Sequence, residues 1–206
     1  MQKDEVSIKT ATATRWSTIT EVVAKLVSPI TSMILARLLT PEAFGVIATI
    51  NMVISFADMF TDAGFQKFLI QHEFKNKKEL DQNTTVAFWT NIGISLIGWL
   101  IIAIFSEQIA SLVGNPGLGN VISIAAMSLP LTSFSSIQMA RYRRNFDFKT
   151  LFYVRMIGVC VPIFVTVPLA FITRSFWALV IGTIAGNLVN AAVLTVRSEW
   201  KPSLYY

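Results

Sequence analysis

The stretch RLLTPEAFGVIA, residues 37–48, separates two long apolar segments and decides how the chain folds. Thr40 suits the N-cap of a helix, and Pro41 suits the first helical position, where a missing N–H removes no hydrogen bond. Leu39 and Phe44 flank the cap with the spacing of a hydrophobic staple. The stretch therefore predicts the end of one helix and the start of the next.

The composition is typical of an integral membrane protein. Of the 206 residues, 53% are hydrophobic and 14% are charged, and the mean hydropathy is +0.58, above the usual range of soluble domains. The net charge of +5 does not predict binding to nucleic acid, because the Lys and Arg residues are shared among the loops between apolar segments. The single cysteine, Cys160, excludes an intrachain disulfide and a cysteine-based metal cluster. Residues 1–15 are polar, so no cleavable signal peptide is expected.

Six segments reach the length of about 20 helical residues that crosses a bilayer. They cover residues 16–39, 42–69, 84–105, 118–140, 151–172 and 175–196. The predicted fold class is therefore all-α, a six-helix polytopic membrane bundle that forms one membrane domain over residues 1–206.

The Lys and Arg residues predict the orientation of this bundle. With the N-terminus inside, thirteen of the 17 fall on the cytoplasmic side: Lys3, Lys9, Arg15, Lys67, Lys75, Lys77, Lys78, Arg141, Arg143, Arg144, Lys149, Arg197 and Lys201. Arg37 and Arg174 fall on the opposite side. Both termini are therefore expected in the cytoplasm. The three arginines between 141 and 144 are interpreted as a patch that sets topology and contacts anionic lipid.

The first apolar segment carries two opposite charges, Glu21 and Lys25, four positions apart. They share one helix face and can pair. Because a charge at membrane depth is expensive, such residues are candidates for function. Two interpretations remain open: an internal salt bridge that lets the helix sit in a bundle, or a pair that lines a cavity.

The second segment carries Asp58 and Asp62, also four positions apart and so on one helix face. Two carboxylates in a cavity of low dielectric constant would repel one another, which suits coupling to protons or sodium. Alternatively, they face a cytoplasmic vestibule, or they pair with Lys25 and Arg155 in a structural role.

Arg155 lies about two turns inside the fifth segment, where its guanidinium must face protein or water. Beside Lys25 in a shared cavity, its planar donor fork would suit a phosphate or pyrophosphate group. The alternative is a pair with Asp58 or Asp62.

Residues for catalysis are scarce. His72 is the only histidine, and it lies in a charged linker without a cysteine or a second histidine at ligand spacing. We therefore expect no enzyme activity, no metal site and no cofactor. Gly182 and Gly186 form a small-xxx-small pair, which predicts close helix packing.

Three stretches resemble the oligosaccharide flippases, in the colanic-acid-type branch of the polysaccharide transporters. This branch belongs to the exporter superfamily that also contains the multidrug and toxin extruders. The stretches are RLLTPEAFG at 37–45, DMFTDAGF at 58–65 and QMARYRRNFDF at 138–148. Their order and spacing match the N-terminal half of such a flippase.

The resemblance implies flipping of an undecaprenyl-pyrophosphate-linked oligosaccharide across the bacterial inner membrane, for polysaccharide or lipopolysaccharide biosynthesis. It also implies alternating access between two six-helix lobes, cationic residues in a central cavity and coupling to an ion gradient. Placed on this sequence, the substrate-binding candidates are Lys25, Arg155, Arg37, Asn91 and Asn187. The ion-coupling candidates are Asp58, Asp62 and Glu21. The asparagines would bond sugar hydroxyls, or they hold helices together.

Members of this family have twelve or more spans, whereas six are predicted here. The second six-span lobe is therefore expected to be absent, and another six-span lobe or a homodimer would be the partner, together with membrane lipids and the lipid-linked substrate. The alternative functions are half of a multidrug cation exporter, or a membrane partner or remnant that does not transport.

Overall fold

The computed structural model describes residues 2–61, 64–198, 200 and 202, and these residues contain helices and no strand. The helices are α1 (Gln2–Leu38), α2 (Pro41–Thr61), α3 (Phe65–Gln71), α4 (Lys77–Ile104), α5 (Ser106–Leu112), α6 (Gly119–Ala125), α7 (Ser128–Arg144), α8 (Phe148–Thr173) and α9 (Trp177–Arg197). The predicted all-α class is confirmed.

Six helical segments within the described residues are long and apolar enough to cross a membrane. They are Thr14–Leu38, Pro41–Met59, Lys77–Ile104, Gly119–Arg144, Phe148–Thr173 and Trp177–Arg197. The chain therefore has the helices of a polytopic membrane bundle.

The joint between α1 and α2 forms as the sequence predicts. α1 ends at Leu38 and α2 begins at Pro41. The Ala43 N–H lies 3.4 Å from Thr40 Oγ1 and 3.1 Å from the Thr40 carbonyl oxygen, so Thr40 caps the new helix. Leu39 is buried in a cluster against which Phe44 packs, as a hydrophobic staple requires.

Two of the predicted spans are interrupted. The stretch 42–69 contains α2 and α3, and Gly64 precedes α3 with φ of +77°, a left-handed conformation that glycine adopts without strain. The stretch 118–140 contains α6 and α7, which are separated by turn residues 126 and 127.

α8 and α9 pack closely at their glycines, as predicted from the small-xxx-small pair. A Cβ atom added to Gly182 would overlap Thr166 Oγ1, and one added to Gly186 would lie 2.6 Å from Pro162 Cγ. Thr166 is itself buried on α8. The two glycines are therefore packing residues between neighbouring helices.

One end of the bundle is tied together by arginines. The Arg144 guanidinium donates to the carbonyl oxygens of Leu69 at 2.8 Å and of His72 at 2.6 Å, which lie at the C-terminal end of α3. Arg141 lies 2.5 Å from an Asp81 carboxylate oxygen. The sequence interpretation, a patch that sets topology and contacts lipid, did not include these contacts between helices. Each contact joins residues more than 50 positions apart, so sequence spacing does not reveal it.

Candidate functional site

The structure forms an ion pair between two membrane-spanning helices. Arg155 Nη1 on α8 lies 3.1 Å from Glu21 Oε1 on α1, and both side chains are about half exposed, at 50% and 46%. The structure thus pairs Glu21 with Arg155 rather than with Lys25, and pairs Arg155 with Glu21 rather than with Asp58. These pairings correct the partners expected from sequence spacing.

This ion pair lines a cavity of about 410 Å³, which we call the arginine cavity. Residues of four helices line it, among them Thr20, Arg143, Gly158 and Asn190 in addition to the pair. Asn190 Oδ1 is buried and has no hydrogen-bond partner among the described residues. Two guanidinium groups, a carboxylate and an amide therefore border one space. This arrangement can bind an anion when the Glu21 carboxylate moves away from the Arg155 guanidinium.

A second cavity, of about 340 Å³, lies between α2, α3, α4 and α7, and we call it the serine cavity. Asp58 and Asn91, which the sequence assigned to different roles, both line it. Asn91 is buried, and its Nδ2 group lies 3.0 Å from Ser136 Oγ and 3.4 Å from the Ser133 carbonyl oxygen. Asp58 is exposed at the surface of α2.

Three further predicted residues line neither of these cavities. Lys25 and Arg37 are exposed on α1, and neither lines the serine or the arginine cavity. Asn187 is half-buried on α9 and also lines neither. Asp62 lies outside the described residues. A joint Lys25 and Arg155 site, as expected from sequence, is therefore not assembled in this conformation.

Two polar residues were missed as site residues by sequence reasoning. Ser133 and Ser95 are buried and line the serine cavity. Isolated serines are common in apolar helices, so the presence of these serines in the sequence did not indicate a binding site. Their convergence depends on contacts between helices that are distant in sequence.

No metal site is evident among the residues that the structure describes, since they contain no group of three or more His, Cys, Asp or Glu side chains arranged around one point. The cavities are thus defined by an ion pair, hydroxyls and amides. Such groups suit the binding and orientation of a polar ligand.

Comparison with known proteins places the chain. The model of the family described as polysaccharide biosynthesis protein matches residues 34–206. The chain belongs to this family. It is thus a multi-pass membrane protein of the polysaccharide biosynthesis protein family, and the resemblance found in the sequence is confirmed.

Two characterised relatives agree with this placement. The chain is 24% identical over 204 residues to the lipopolysaccharide biosynthesis protein WzxC of Escherichia coli K12. It is 27% identical over 205 residues to the succinoglycan biosynthesis transport protein ExoT of Rhizobium meliloti 1021. A Klebsiella pneumoniae protein, an uncharacterized membrane protein in the cps region, is 24% identical over 201 residues.

These matches cover 96%, 97% and 98% of this family member. In each case the chain spans 40% of the length of the relative. No solved structure matches the chain significantly. The cavities described above therefore rest on the chain's own geometry.

Proposed function

We propose that this chain forms one lobe of a transporter that flips a lipid-linked oligosaccharide across the bacterial plasma membrane, for the synthesis of surface polysaccharide or lipopolysaccharide. Three findings support the proposal: its family, its six helices long enough to span a membrane, and its similarity to ExoT, a succinoglycan biosynthesis transport protein. In this proposal the chain moves its substrate without a covalent reaction and without a cofactor.

The observation that carries the proposal is the half-exposed guanidinium of Arg155 inside the span Phe148–Thr173. A charged group at this depth is too costly to face acyl chains, so its exposed surface faces water or another protein surface. The arginine cavity beside it is large enough for a small anionic group. A planar guanidinium binds phosphate oxygens through two parallel hydrogen bonds.

Glu21 gives this site two states. In the described conformation the Glu21 carboxylate forms an ion pair with the Arg155 guanidinium, which holds the guanidinium in place and balances its charge. A pyrophosphate group competes for the same donors with a higher charge. Substrate binding therefore exchanges one partner of Arg155 for another, and release restores the pair between α1 and α8.

Alternating access requires a surface that faces this cavity. We propose that a second six-span lobe, or a second copy of the chain, supplies it. The N-terminus is proposed to lie in the cytoplasm because thirteen of the 17 Lys and Arg residues then fall inside. The contacts of Arg141 and Arg144 support a common side for the loops that they join.

The test is the amount of surface polysaccharide in cells whose only copy of the protein carries Arg155→Gln. We expect a loss of at least tenfold, because glutamine cannot provide the charged donor fork. Lys149→Gln is the control, since Lys149 is exposed six residues earlier on α8 and lines neither cavity. Equal loss in both variants, or wild-type levels in Arg155→Gln at equal protein abundance, would contradict the proposal.

A further inference from the structure

The serine cavity has a buried floor and an exposed rim. Asn91 and Ser133 on the floor are each 7% exposed, and Ser95 is fully buried. Asp58 and Met59 on the rim are exposed. The cavity is therefore a pocket that opens at the surface of α2 and reaches into the bundle as far as α4 and α7.

The hydroxyl groups of this pocket present mainly acceptor oxygens. Ser95 Oγ donates to the Asn91 carbonyl oxygen at 2.7 Å, and Thr132 Oγ1 lies 2.9 Å from the carbonyl oxygens of Ser128 and Leu129. Their protons are directed back to their own helices, which is common for serine and threonine in helices. The lone pairs of these oxygens remain for a ligand.

Ser133 adds a group that the protein leaves unsatisfied. Its Oγ atom is buried and has no hydrogen-bond partner among the described residues. A buried hydroxyl without a partner is unfavourable, so such a group needs water or a ligand. Asn91 is held by its Nδ2 contacts to α7, which fixes the amide in the pocket.

A charged residue, Asp58, lies at the mouth of the pocket. Asp58 lies in the span Pro41–Met59 and is exposed at the rim. An ionised carboxylate on a membrane-spanning helix faces a cavity, another protein surface or water. The mouth of the pocket is therefore expected to face water or another protein surface rather than acyl chains.

We propose that the serine cavity binds one neutral sugar ring of the transported saccharide. This inference rests on the proposed function and assigns the sugar to a pocket different from that of the anionic group at Arg155. The volume of about 340 Å³ lies in the usual range of small-molecule sites, about 300–1,000 Å³, and fits one ring rather than a whole oligosaccharide. Each sugar hydroxyl donates one proton, which matches the acceptor oxygens of the floor and the Asp58 carboxylate.

A single monovalent cation fits the pocket less well. The same volume corresponds to about eleven waters of about 30 Å³ each. The polar groups are spread over this space from the rim to the floor, so one small ion would leave most of them in contact with water. A uronic acid ring is also disfavoured, because its carboxylate would meet Asp58 and the acceptor oxygens.

The experiment is saturation-transfer difference NMR on the full chain in lipid nanodiscs. The probes are methyl glucoside, methyl galactoside, N-acetylglucosamine and glucuronic acid, with sodium-22 binding measured on the same samples. We expect a saturable signal from at least one neutral sugar and a weaker signal or none from glucuronic acid. Ser133→Ala and Asp58→Asn should each weaken the neutral sugar about tenfold.

Matched variants separate a local effect from misfolding. Ser135→Ala removes a buried serine on the same helix that does not line the pocket, and Glu73→Gln neutralises an exposed acid in the loop before α4. Both should bind like the wild type. Equal binding by Ser133→Ala and Ser135→Ala would overturn the sugar site, as would sodium binding that depends on Asp58 without saturable binding of any sugar. Surface polysaccharide in Arg155→Gln cells tests the transport proposal separately, so failure of one does not imply failure of the other.

Discussion

Arg155 on α8 and Glu21 on α1 form an ion pair with 3.1 Å between Nη1 and Oε1. Trp16 on α1 and Phe152 on α8 also contact each other, with 5.1 Å between their ring centroids. The packing of α1 against α8 therefore lets two charges that are 134 positions apart in the sequence meet.

Reversing the charges of this pair should separate its structural role from its transport role. Arg155→Glu places two carboxylates together and Glu21→Arg places two guanidinium groups together, so each should destabilise the protein by about 1 kcal/mol in detergent. The double variant restores opposite charges and should recover most of that loss. Thermal unfolding of the four purified proteins measures the effect.

Transport should behave differently from stability in the same series. The double variant moves the guanidinium to α1, so surface polysaccharide should stay low although the protein is as stable as the wild type. Full recovery of both properties would show that the pair acts only to hold α1 against α8.

The contact between α8 and α9 predicts a second pair of coupled substitutions. Gly182→Ala should destabilise the protein by about 1–3 kcal/mol, because the new methyl group overlaps Thr166 Oγ1. Adding Thr166→Ala removes the overlapping atom and should recover at least half of the loss. Equilibrium unfolding in detergent provides the measurement.

Gly93→Ala is the control for this substitution, because a Cβ atom at Gly93 meets nothing within 4 Å. It should leave stability unchanged or raise it slightly, since alanine favours helix more than glycine does. If Gly182→Ala behaves like Gly93→Ala, then α8 and α9 are not packed at this point.

The sequence predicted more of the fold than of the candidate site. Helix ends such as Thr40 and Pro41 depend on neighbouring residues, so their chemistry is visible in the sequence. Glu21 was identified as a charge at membrane depth, but its partner is 134 positions away, and spacing within one helix favoured Lys25 instead. The choice between the two depends on which helices pack together, and single residues do not specify it.

The interruptions of the second and fourth spans show the same limit. Gly64 lies in a stretch that hydropathy alone joins into one helix, because hydropathy does not report the left-handed backbone conformation that Gly64 adopts. Ser95 and Ser133 gave no signal in the sequence, because hydroxyls in apolar helices usually bond their own backbone. The two serines line one pocket only because α4 packs against α7.

Arg144 should be required for the stability of α3. Its guanidinium donates to carbonyl groups of Leu69 and His72 that otherwise end the helix without partners inside it. Arg144→Ala should destabilise the protein by about 1.5–3 kcal/mol, the range for hydrogen bonds to charged groups. Hydrogen exchange of the amides of residues 65–72 measures this locally.

Arg143 provides the matched control for Arg144. It is adjacent, exposed and equally charged. Arg143→Ala should leave exchange in α3 at the wild-type rate. Faster exchange in both variants would indicate that loss of positive charge, rather than loss of these hydrogen bonds, is responsible.

The orientation of the bundle is testable by chemical labelling. In a Cys160→Ser background, Leu112→Cys lies at the end of α5, in the connection between the third and fourth spans that is proposed to be outside. Lys149→Cys lies in the first turn of α8, at the end of that helix that is proposed to be inside. Both positions are exposed. A maleimide that cannot cross membranes should label position 112 in intact spheroplasts and position 149 only after lysis. The reverse pattern would invert the proposed topology.

Transport itself is best measured with purified protein in liposomes that contain a fluorescent polyprenyl-pyrophosphate-linked oligosaccharide, using a reagent that quenches only the outer leaflet. We expect the fluorescence of the wild type to become fully accessible over time, and Lys149→Gln to match it. Arg155→Gln should remain near the level of protein-free liposomes. Equal accessibility in Arg155→Gln and wild-type liposomes would contradict a role for Arg155 in moving the substrate.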